Sequence, residues 1–518
     1  MSKLSDNFPK PTCTIILYSA GTGNGFFRRP DVKSIRSPVR FPPYGKWTHG
    51  TADTKNLIII QNPLPFMLEP IMKKKVLTGK YSKGKIHPIL LDDFLNKLII
   101  SFDDEELSNS FINEYNGKYF NENLNYELKI EKCEKTVEEI QKEVDEKKTK
   151  EEKYDFPIKY EFEWKNDYAN SPEKSGLLYI NEQGKNIIYK SFKILLTKFG
   201  KNLFEGKSIV NVSFPIILYD KRSYSQVLAY EMRTMPYFIT RACFAKDKIE
   251  KLKWIVVHLF SVLHISTIQT QPFKPVLGET FQCKIGDFVF YVENTQSVPL
   301  VNNFYGFDVN NNYKIYGHQI SDITSRPNGI LASKTGKYFI ELKDGTKYLL
   351  RMPNVSLKGI SMGDRLFNYV DKVVVVDLTN NLCAYIEMNP EEVGFFKSFF
   401  TKKNSFPDFF KGQIVDASFV TIDEKGCNHN LKKGAKSLCK IEGEWTSTIK
   451  FDDEEYWDID DYQLIQIYHY GYMLPSDSSL RLDLISYLKD DQEKAQVEKE
   501  KYETSSEKDN ELRKKYNK

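Results

Sequence analysis

The sequence lacks the features of secreted, membrane-spanning and nucleic-acid-binding proteins. It has no run of eighteen apolar residues, so no transmembrane helix is predicted. The first residues, MSKLSDNFPKP, are polar and carry no apolar signal stretch. The 74 basic and 70 acidic residues leave a formal net charge of only +4, without the strongly basic face that nucleic acid requires. We expect a cytoplasmic protein with no nucleic-acid partner, whose membrane contact is transient and peripheral.

Cysteines are few and irregularly spaced. The seven lie at positions 13, 133, 243, 283, 383, 427 and 439. A dispersed, odd-numbered set indicates reduced thiols rather than a disulfide framework. Cys427 and His429, with Cys439, lack a fourth ligand at zinc spacing, so we expect no metal site.

Recognised catalytic motifs are also missing. There is no G-x-S-x-G, no H-E-x-x-H and no P-loop. The GTGNGF segment at 21–26 only faintly resembles a phosphate-binding turn, because it lacks the third glycine's spacing and a following helix. His258 and His264 lie in an apolar helical pattern, which is typical of core histidines. We therefore expect no catalytic residue, no cofactor and no enzymatic activity.

Aromatic residues, in contrast, are abundant. Phe and Tyr number 35 and 31, and 41% of the chain is apolar. So many aromatic side chains suit either β-sheet surfaces or an apolar ligand cavity. Composition alone leaves both interpretations open.

Three regions follow one another along the chain. Residues 1–125 hold short apolar runs and a helical pattern at 103–116, which would fit a pleckstrin-homology-like module and offers a surface for a protein partner. The lysines of 73–85 could contact an anionic membrane or protect a strand edge. Residues 126–186 begin with Glu- and Lys-rich sequence whose apolar positions have a 4-3-4 spacing, which predicts a charged helical linker.

Residues 187–518 form the third region. Helical patterns at 224–232 and 246–266 precede a series of strand patterns. The strands are joined by hairpin signals at 343–346, read as a type I′ turn, and at 379–381. Successive hairpins without intervening helices predict an antiparallel meander that curls or closes to cover its edges. Residues 482–518 form a charged helical tail. The predicted fold class is α+β.

One segment of this region is specific. The sequence QPFKPVLGETF at 271–281 resembles the KPFNPVLGETF stretch of the oxysterol-binding protein family. Further segments resemble the family's lid element, strands and exit segment in the same order, namely 214–218, 338–342, 352–355, 443–445 and 474–481. The resemblance covers about residues 187–518. It implies a near-complete antiparallel β-barrel with an N-terminal lid, flanking helices and a tunnel for one lipid.

The resemblance also assigns roles to individual residues. Those of the lid and tunnel would be Phe214, Ile216, Ile217, Leu218 and Leu228. Apolar lid residues suit a ligand that water excludes. The lipid implied is a sterol or another neutral lipid, and the family commonly exchanges it for phosphatidylinositol 4-phosphate.

The headgroup positions depart from the family pattern. The family's EQVSHHPP reads ENTQSVPL at 293–300, so Ser297 and Val298 replace both histidines. Gln271 replaces the first lysine of KPFNP, with Lys274 three residues later. The family's C-terminal Lys-x-x-x-Glu-x-x-x-Arg triplet aligns with Lys501, Ser505 and Asp509.

Burying a phosphomonoester without cations is costly, so these departures predict that phosphoinositide exchange is lost. The sequence favours a lipid-binding or transfer protein for a sterol-like or other neutral lipid. Two alternatives remain: a scaffold that kept the barrel and lost transport, and a phosphoinositide site rebuilt around Lys274.

Overall fold

The computed structural model describes residues 17–18, 57–61, 76–91, 94–118, 127–135, 139, 142, 160–161, 168–170, 177–182, 184–186, 189–190, 193, 213–267, 271–390, 408–458, 464–465, 467–470 and 473–516. The GTGNGF segment, the start of the lysine-rich stretch and most of 187–212 lie outside these residues.

The N-terminal region contains a small sheet and one helix. Its elements are β1 (Leu17–Tyr18), β2 (Leu57–Gln61), β3 (Lys85–Leu91), β4 (Phe94–Ser101), α1 (Glu105–Tyr115) and β5 (Ile130–Lys132). Strands β2 to β5 form a sheet in the order β3-β4-β2-β5, and Phe111 of α1 is fully buried with Ile58 and Leu98. The helix is not the last element, because β5 follows it and pairs with β2. The pleckstrin-homology-like assignment, which relied on a terminal helix, stays a prediction.

The segment expected to be a helical linker also contributes strands. Besides β5 it holds β6 (Tyr160–Glu161), β7 (Tyr168–Asn170) and β8 (Leu177–Tyr179), whereas Glu139 and Lys142 are helical. Leu177 and Tyr179 alternate into the core, so this part of the segment adds strands to a sheet instead of spanning a gap. The prediction of a helix is therefore wrong for the residues of β5 to β8. The boundary at residue 126 stays a prediction.

Three helices pack together before the large sheet begins. After β9 (Tyr219–Ser223) come α2 (Tyr224–Glu231), α3 (Met235–Phe244) and α4 (Lys248–Ile265). A capping box between Ser223 and Gln226 starts α2, and the Asp247 carboxylate caps α4 by accepting from two backbone N–H groups. The helices predicted from the patterns at 224–232 and 246–266 are confirmed.

The rest of the chain contains a long antiparallel meander, three short strands that lie outside the meander's sheet, and two helices that follow them. Its strands are β10 (Gln271–Phe273), β11 (Thr280–Ile285), β12 (Phe288–Ser297), β13 (Leu300–Asp308), β14 (Tyr313–Arg326), β15 (Gly329–Leu342), β16 (Lys347–Arg351), β17 (Asn354–Lys358), β18 (Leu366–Val370), β19 (Lys372–Asp377), β20 (Leu382–Met388), β21 (Phe409–Asp416), β22 (Val420–Thr421), β23 (Asn430–Leu431), β24 (Cys439–Glu444), β25 (Thr448–Phe451), β26 (Glu454–Asp458) and β27 (Ile467–His469). The helices are α5 (Leu482–Leu488) and α6 (Gln492–Tyr516), so the predicted tail helix is interrupted near Asp490, whose φ is 59°.

Sequential pairing dominates the large sheet. Strands β11 to β15 pair in order, and β15 then contacts both β16 and β17 along different halves. From β16 the sheet continues through β19, β20, β21, β24 and β25 to β26. At the other end β27 pairs with β11, and β8 pairs with β18.

The two predicted hairpins are present, and one differs in its turn. The loop between β15 and β16 was expected to be a type I′ turn. Only Gly345 in it has a positive φ, of 86°, and its N–H donates to the Leu342 carbonyl. This is a type I turn followed by a glycine bulge, because a type I′ turn needs a positive φ at both central residues. In the second hairpin the Asp377 carboxylate accepts from the backbone of Thr379 and Asn380.

The sheet curls around α4. That helix touches strands far apart in the sheet: His258 contacts Tyr338 of β15, Phe260 stacks on Phe410 of β21, and His264 meets Trp457 of β26. No residue register joins β26 to β27 within the described residues, so the sheet is not closed. The predicted α+β class, with a large curled antiparallel sheet and flanking helices, is confirmed.

Candidate functional site

A cavity of about 320 Å³ lies between β9, β10, the β12–β13 hairpin and α6. Its volume is at the lower end of the range for small-ligand sites. It brings together three of the positions singled out in the sequence, Gln271, Lys274 and Val298. The other lining residues are Ser213, Tyr219, Phe273, Pro275, Val276, Arg481, Lys499, Tyr502, Glu503, Ser506, Glu507, Asn510 and Glu511.

The QPFKPVLGETF segment builds one wall. Its first residues form β10, which pairs in parallel with β9 so that Gln271 lies opposite Tyr219. The chain then turns at Gly278, whose φ of 79° favours glycine, and enters β11. The buried Glu279 carboxylate accepts from the Val276 backbone N–H at 3.1 Å, which holds the turn that presents Lys274.

The β12–β13 hairpin presents an apolar side chain at a position where the sequence resemblance would place a histidine. Its two-residue turn is Val298-Pro299, with a cis peptide between them, and Ser297 pairs with Leu300. Val298 lines the cavity and is 43% exposed, whereas Ser297 is buried and is not a lining residue. Neither of these two positions contributes a cation to the cavity.

Helix α6 builds the opposite wall, and the predicted Lys501 is not among the residues that line the cavity. Lys501 points away: its side chain is 65% exposed and pairs with Glu498 at 2.8 Å. Lys499 and Glu503 line the cavity instead, with Glu507 one turn further along. Residues four apart share a helix face, whereas residue 501 lies on another face. Lys499, Glu503 and Glu507 have the same four-residue spacing as the triplet, two residues before the predicted Lys501, Ser505 and Asp509, and the Lys-x-x-x-Glu spacing could have drawn attention to this set in the sequence.

Lys499 is already engaged within this wall. Its side chain is only 3% exposed, and Nζ donates to Glu503 Oε1 and to Ser213 Oγ, both at 2.8 Å. The Ser213 hydroxyl donates in turn to Glu503 Oε2 at 2.8 Å. This lysine and its carboxylate neutralise each other.

Arg481 is a cavity residue to which the sequence assigned no role. Its guanidinium donates to Glu279 Oε2 at 2.7 Å and to both oxygens of Asp483 at 2.7 and 3.0 Å. It also donates to the Lys274 backbone carbonyl at 2.7 Å, which ties the C-terminal region to the QPFKPVLGETF wall. Arg481 is buried and its charge is matched by two carboxylates, so it is committed to this network.

Negatively charged side chains outnumber positively charged ones in and around the cavity. Lys274, Lys499 and Arg481 are the lining cations. They face five carboxylates, those of the lining residues Glu503, Glu507 and Glu511 and the two bound to Arg481. Burial lowers the pKa of Lys274, while Glu503 and Glu507 act to raise that pKa. The arrangement disfavours a ligand group carrying more than one negative charge.

The predicted lid residues lie beside α6. Ile216, Ile217 and Leu218 form a short 3-10 turn, and the Ile216 N–H donates to Gln496 Oε1 of α6 at 2.9 Å. Ile216 is buried and Phe214 packs against the core, whereas Ile217 is 39% exposed. Leu228 is separate from this group, in the buried α2. The lid and tunnel assignment stays a prediction, because the residues before 213 that it needs are mostly outside the described part.

The two histidines of α4 are core residues. His258 Nε2 is 2.8 Å from the Tyr338 hydroxyl, and His264 Nδ1 is 3.2 Å from the Trp445 carbonyl. Burial lowers the pKa of each to about 3, so both are neutral at physiological pH. Across the described residues no three or more His, Cys, Asp or Glu side chains group as a metal site would require. In the same residues no helix combines the length and apolarity needed to cross a bilayer.

Comparisons with known proteins agree with the sequence motif. The model of the family described as oxysterol-binding protein matches residues 196–518. Oxysterol-binding protein 9 of Dictyostelium discoideum is 31% identical over 266 residues, which are 51% of this chain and 62% of that protein. Oxysterol-binding protein-related protein 8 of Mus musculus is 20% identical over 297 residues, 56% of this chain and 30% of that protein. The chain thus spans less than two thirds of the length of these relatives.

Two solved structures are similar to part of the chain. The Osh3 ORD of Saccharomyces cerevisiae in complex with PI(4)P is 17% identical, covers 63% of this chain and 84% of its own, and has a TM-score of 0.47. The Osh1 ORD in complex with cholesterol is 14% identical, covers 63% and 80%, and has a TM-score of 0.48. Because the family model spans more than half of its length, this chain belongs to the oxysterol-binding protein family.

Proposed function

We propose that this protein binds one sterol-like or other neutral lipid within its curled sheet and transfers it between membranes without exchanging it for phosphatidylinositol 4-phosphate. Membership of the family supports lipid binding. In this proposal the protein is cytoplasmic, contacts membranes transiently and catalyses no reaction. A protein partner for the N-terminal region stays a prediction.

The charge balance of the cavity supports the second part of the proposal, that the lipid is not exchanged for phosphatidylinositol 4-phosphate. A phosphomonoester bears up to two negative charges near neutral pH. Each charge-assisted hydrogen bond to such a group is worth about 1.5–3 kcal/mol. Here Lys499 is paired with Glu503 and Arg481 is matched by two carboxylates. Lys274 alone cannot replace the cations that such a headgroup needs.

Three measurements on the purified full chain test the proposal. Mass spectrometry of the co-purified lipids should find a sterol or another neutral lipid, and fluorescent sterol should move between liposomes when the protein is added. Phosphatidylinositol 4-phosphate should be extracted no better than phosphatidylinositol. A protein that carries and moves no lipid would instead support the scaffold function. Preferential extraction of the 4-phosphate, abolished by Lys274→Ala, would show that the site was rebuilt.

A gain-of-function variant sharpens the test. Gln271→Lys, Val298→His and Glu507→Arg together would place three cationic or protonatable groups at cavity positions and remove one carboxylate. We expect this variant to extract phosphatidylinositol 4-phosphate at least tenfold better than the wild type. Lys501→Arg, on the exposed face of α6, is the matched control and should leave lipid extraction unchanged.

A further inference from the structure

The segment 213–218 is anchored in the core at its C-terminal end. There the chain enters β9, which pairs with β10. The Tyr219 side chain is buried, its ring centre lies 5.0 Å from that of Phe273, and its backbone carbonyl accepts from the Tyr487 hydroxyl at 3.3 Å. Any movement of the segment would therefore pivot near Tyr219.

Helix α6 holds the other end of the segment through a ring of three hydrogen bonds. The Ser213 hydroxyl accepts from Lys499 Nζ and donates to Glu503 Oε2, both at 2.8 Å. Lys499 Nζ also donates to Glu503 Oε1 at 2.8 Å. Ser213 is 286 and 290 residues away from these two partners in the sequence, so the ring joins two separate parts of the chain.

A fourth hydrogen bond holds the middle of the segment. The Gln496 side-chain amide donates to Glu500 Oε1 at 2.8 Å, which leaves its own Oε1 to accept from the Ile216 backbone N–H at 2.9 Å. Of the six residues of the segment, all within the described part of the chain, only Ile216 is buried, and Phe214 packs partly against the core. Polar contacts with α6 therefore contribute much of what holds the segment in place.

The burial of Lys499 makes the ring unfavourable to open. Its side chain is 3% exposed, and a buried charge is unfavourable unless it is paired and hydrogen-bonded. Its ammonium contacts the Ser213 hydroxyl and the Glu503 carboxylate and lies 5.5 Å from the centre of the Tyr219 ring. Withdrawal of Ser213 would leave this buried donor with one acceptor fewer. Ser213 also lines the cavity, so the same movement would open the cavity wall.

From this geometry we propose that these contacts act as a clamp, which holds the segment 213–218 against α6 and limits the rate at which bound lipid leaves the protein. Its positioning residues are Ser213, Gln496, Lys499 and Glu503. Lys499 and Glu503 have the four-residue spacing of the family's C-terminal triplet, yet here they bind a segment of the chain itself. The effect on lipid release rests on the proposed function, whereas the clamp itself does not.

The test uses the full chain with Ser213→Ala and two measurements. The first is hydrogen–deuterium exchange of peptides that cover 213–219, and the second is the release of preloaded fluorescent sterol into phosphatidylcholine liposomes. We expect faster exchange in these peptides and release about tenfold faster, because a hydrogen bond to a charged group is lost. Ser213→Thr keeps the hydroxyl and should behave as the wild type. Ser505→Ala, which removes an exposed hydroxyl of α6 outside the cavity lining, is the matched control and should change neither measurement.

A second variant and an internal reference make the test decisive. Gln496→Leu removes the bond to Ile216 and should also speed exchange in 213–219, whereas exchange in β12 to β15 should stay unchanged in both variants. Unchanged exchange in 213–219, or exchange that rises equally in β12 to β15, would overturn the clamp. Faster exchange in 213–219 with unchanged sterol release would overturn its role in lipid release. A wild type that retains no sterol would reject the proposed function and that role with it, and the exchange data would still decide whether the clamp exists.

Discussion

Replacing Arg481 tests the network that joins the C-terminal region to the cavity wall. Arg481→Met removes a buried guanidinium that binds Glu279 and Asp483 at 2.7 Å each and leaves both carboxylates buried without their partner. Breaking a buried ion pair by removing one member typically costs 3–5 kcal/mol. We expect the free energy of unfolding at pH 7 to fall by about that amount, measured by urea denaturation followed through tryptophan fluorescence.

The same variant should show a distinctive pH dependence. Burial raises the pKa of Glu279 and Arg481 opposes that rise, so removing the arginine lets the pKa rise further. The folded variant then holds a proton that the unfolded chain releases near its ordinary pKa, and stability is regained as the pH falls. The deficit relative to wild type should therefore shrink between pH 7 and pH 5.

An exposed ion pair provides the control. Lys501→Met breaks the pair with Glu498, and pairs of this kind contribute about 0–1 kcal/mol. A loss below about 1 kcal/mol for Arg481→Met at pH 7, or a deficit that does not change with pH, would refute the reasoning.

Three further predictions follow from other parts of the molecule. Burial lowers the pKa of His258 and of His264 to about 3 and that of His429 to about 4. The wild type should therefore lose stability as the pH falls below about 6.5, by about 1.4 kcal/mol per unit for each of these buried neutral histidines. His258→Gln should remove about a third of that loss between pH 7 and pH 5, and urea midpoints that move equally in variant and wild type between these two pH values would contradict this. Ile217→Asp, at a half-exposed position of the predicted lid, should weaken lipid retention without unfolding the protein; unchanged extraction by a folded variant would remove Ile217 from the lid. Limited proteolysis should cut first within 126–153 and leave a folded 187–518 fragment; equal cutting inside 270–390 would reject that boundary.

Local signals in the sequence were sufficient for much of the fold. The apolar stripe of α4 and the capping carboxylate of Asp247 are contained within one stretch of chain, so the helix could be predicted. The loop at 343–346 was located for the same reason, although its turn type depended on the φ values that the twisted strands require. The QPFKPVLGETF segment identified the family because its residues are contiguous.

Strand pairing between segments that are far apart in the sequence could not be predicted in the same way. Ile130–Lys132 is rich in charge and was assigned to a helix, yet it pairs with β2, about seventy residues earlier in the sequence. Such pairing depends on which strand edge is free in the folded molecule, and local propensity does not record that.

In the candidate site, some properties follow from residue identity and others depend on the tertiary structure. The sequence alone determined that both histidines of the headgroup signature are replaced, by Ser297 and Val298, because this is a matter of residue identity. The Lys-x-x-x-Glu spacing of Lys499 and Glu503 is present in the sequence, but only the tertiary structure showed that Lys499 is buried in the cavity wall and that Lys501 is exposed. Only the tertiary structure decided that Arg481 is bound by one carboxylate more than 200 residues away and by another two residues away. The electrostatic character of a site depends on distances between side chains and on their burial, and these exist only after the chain has folded.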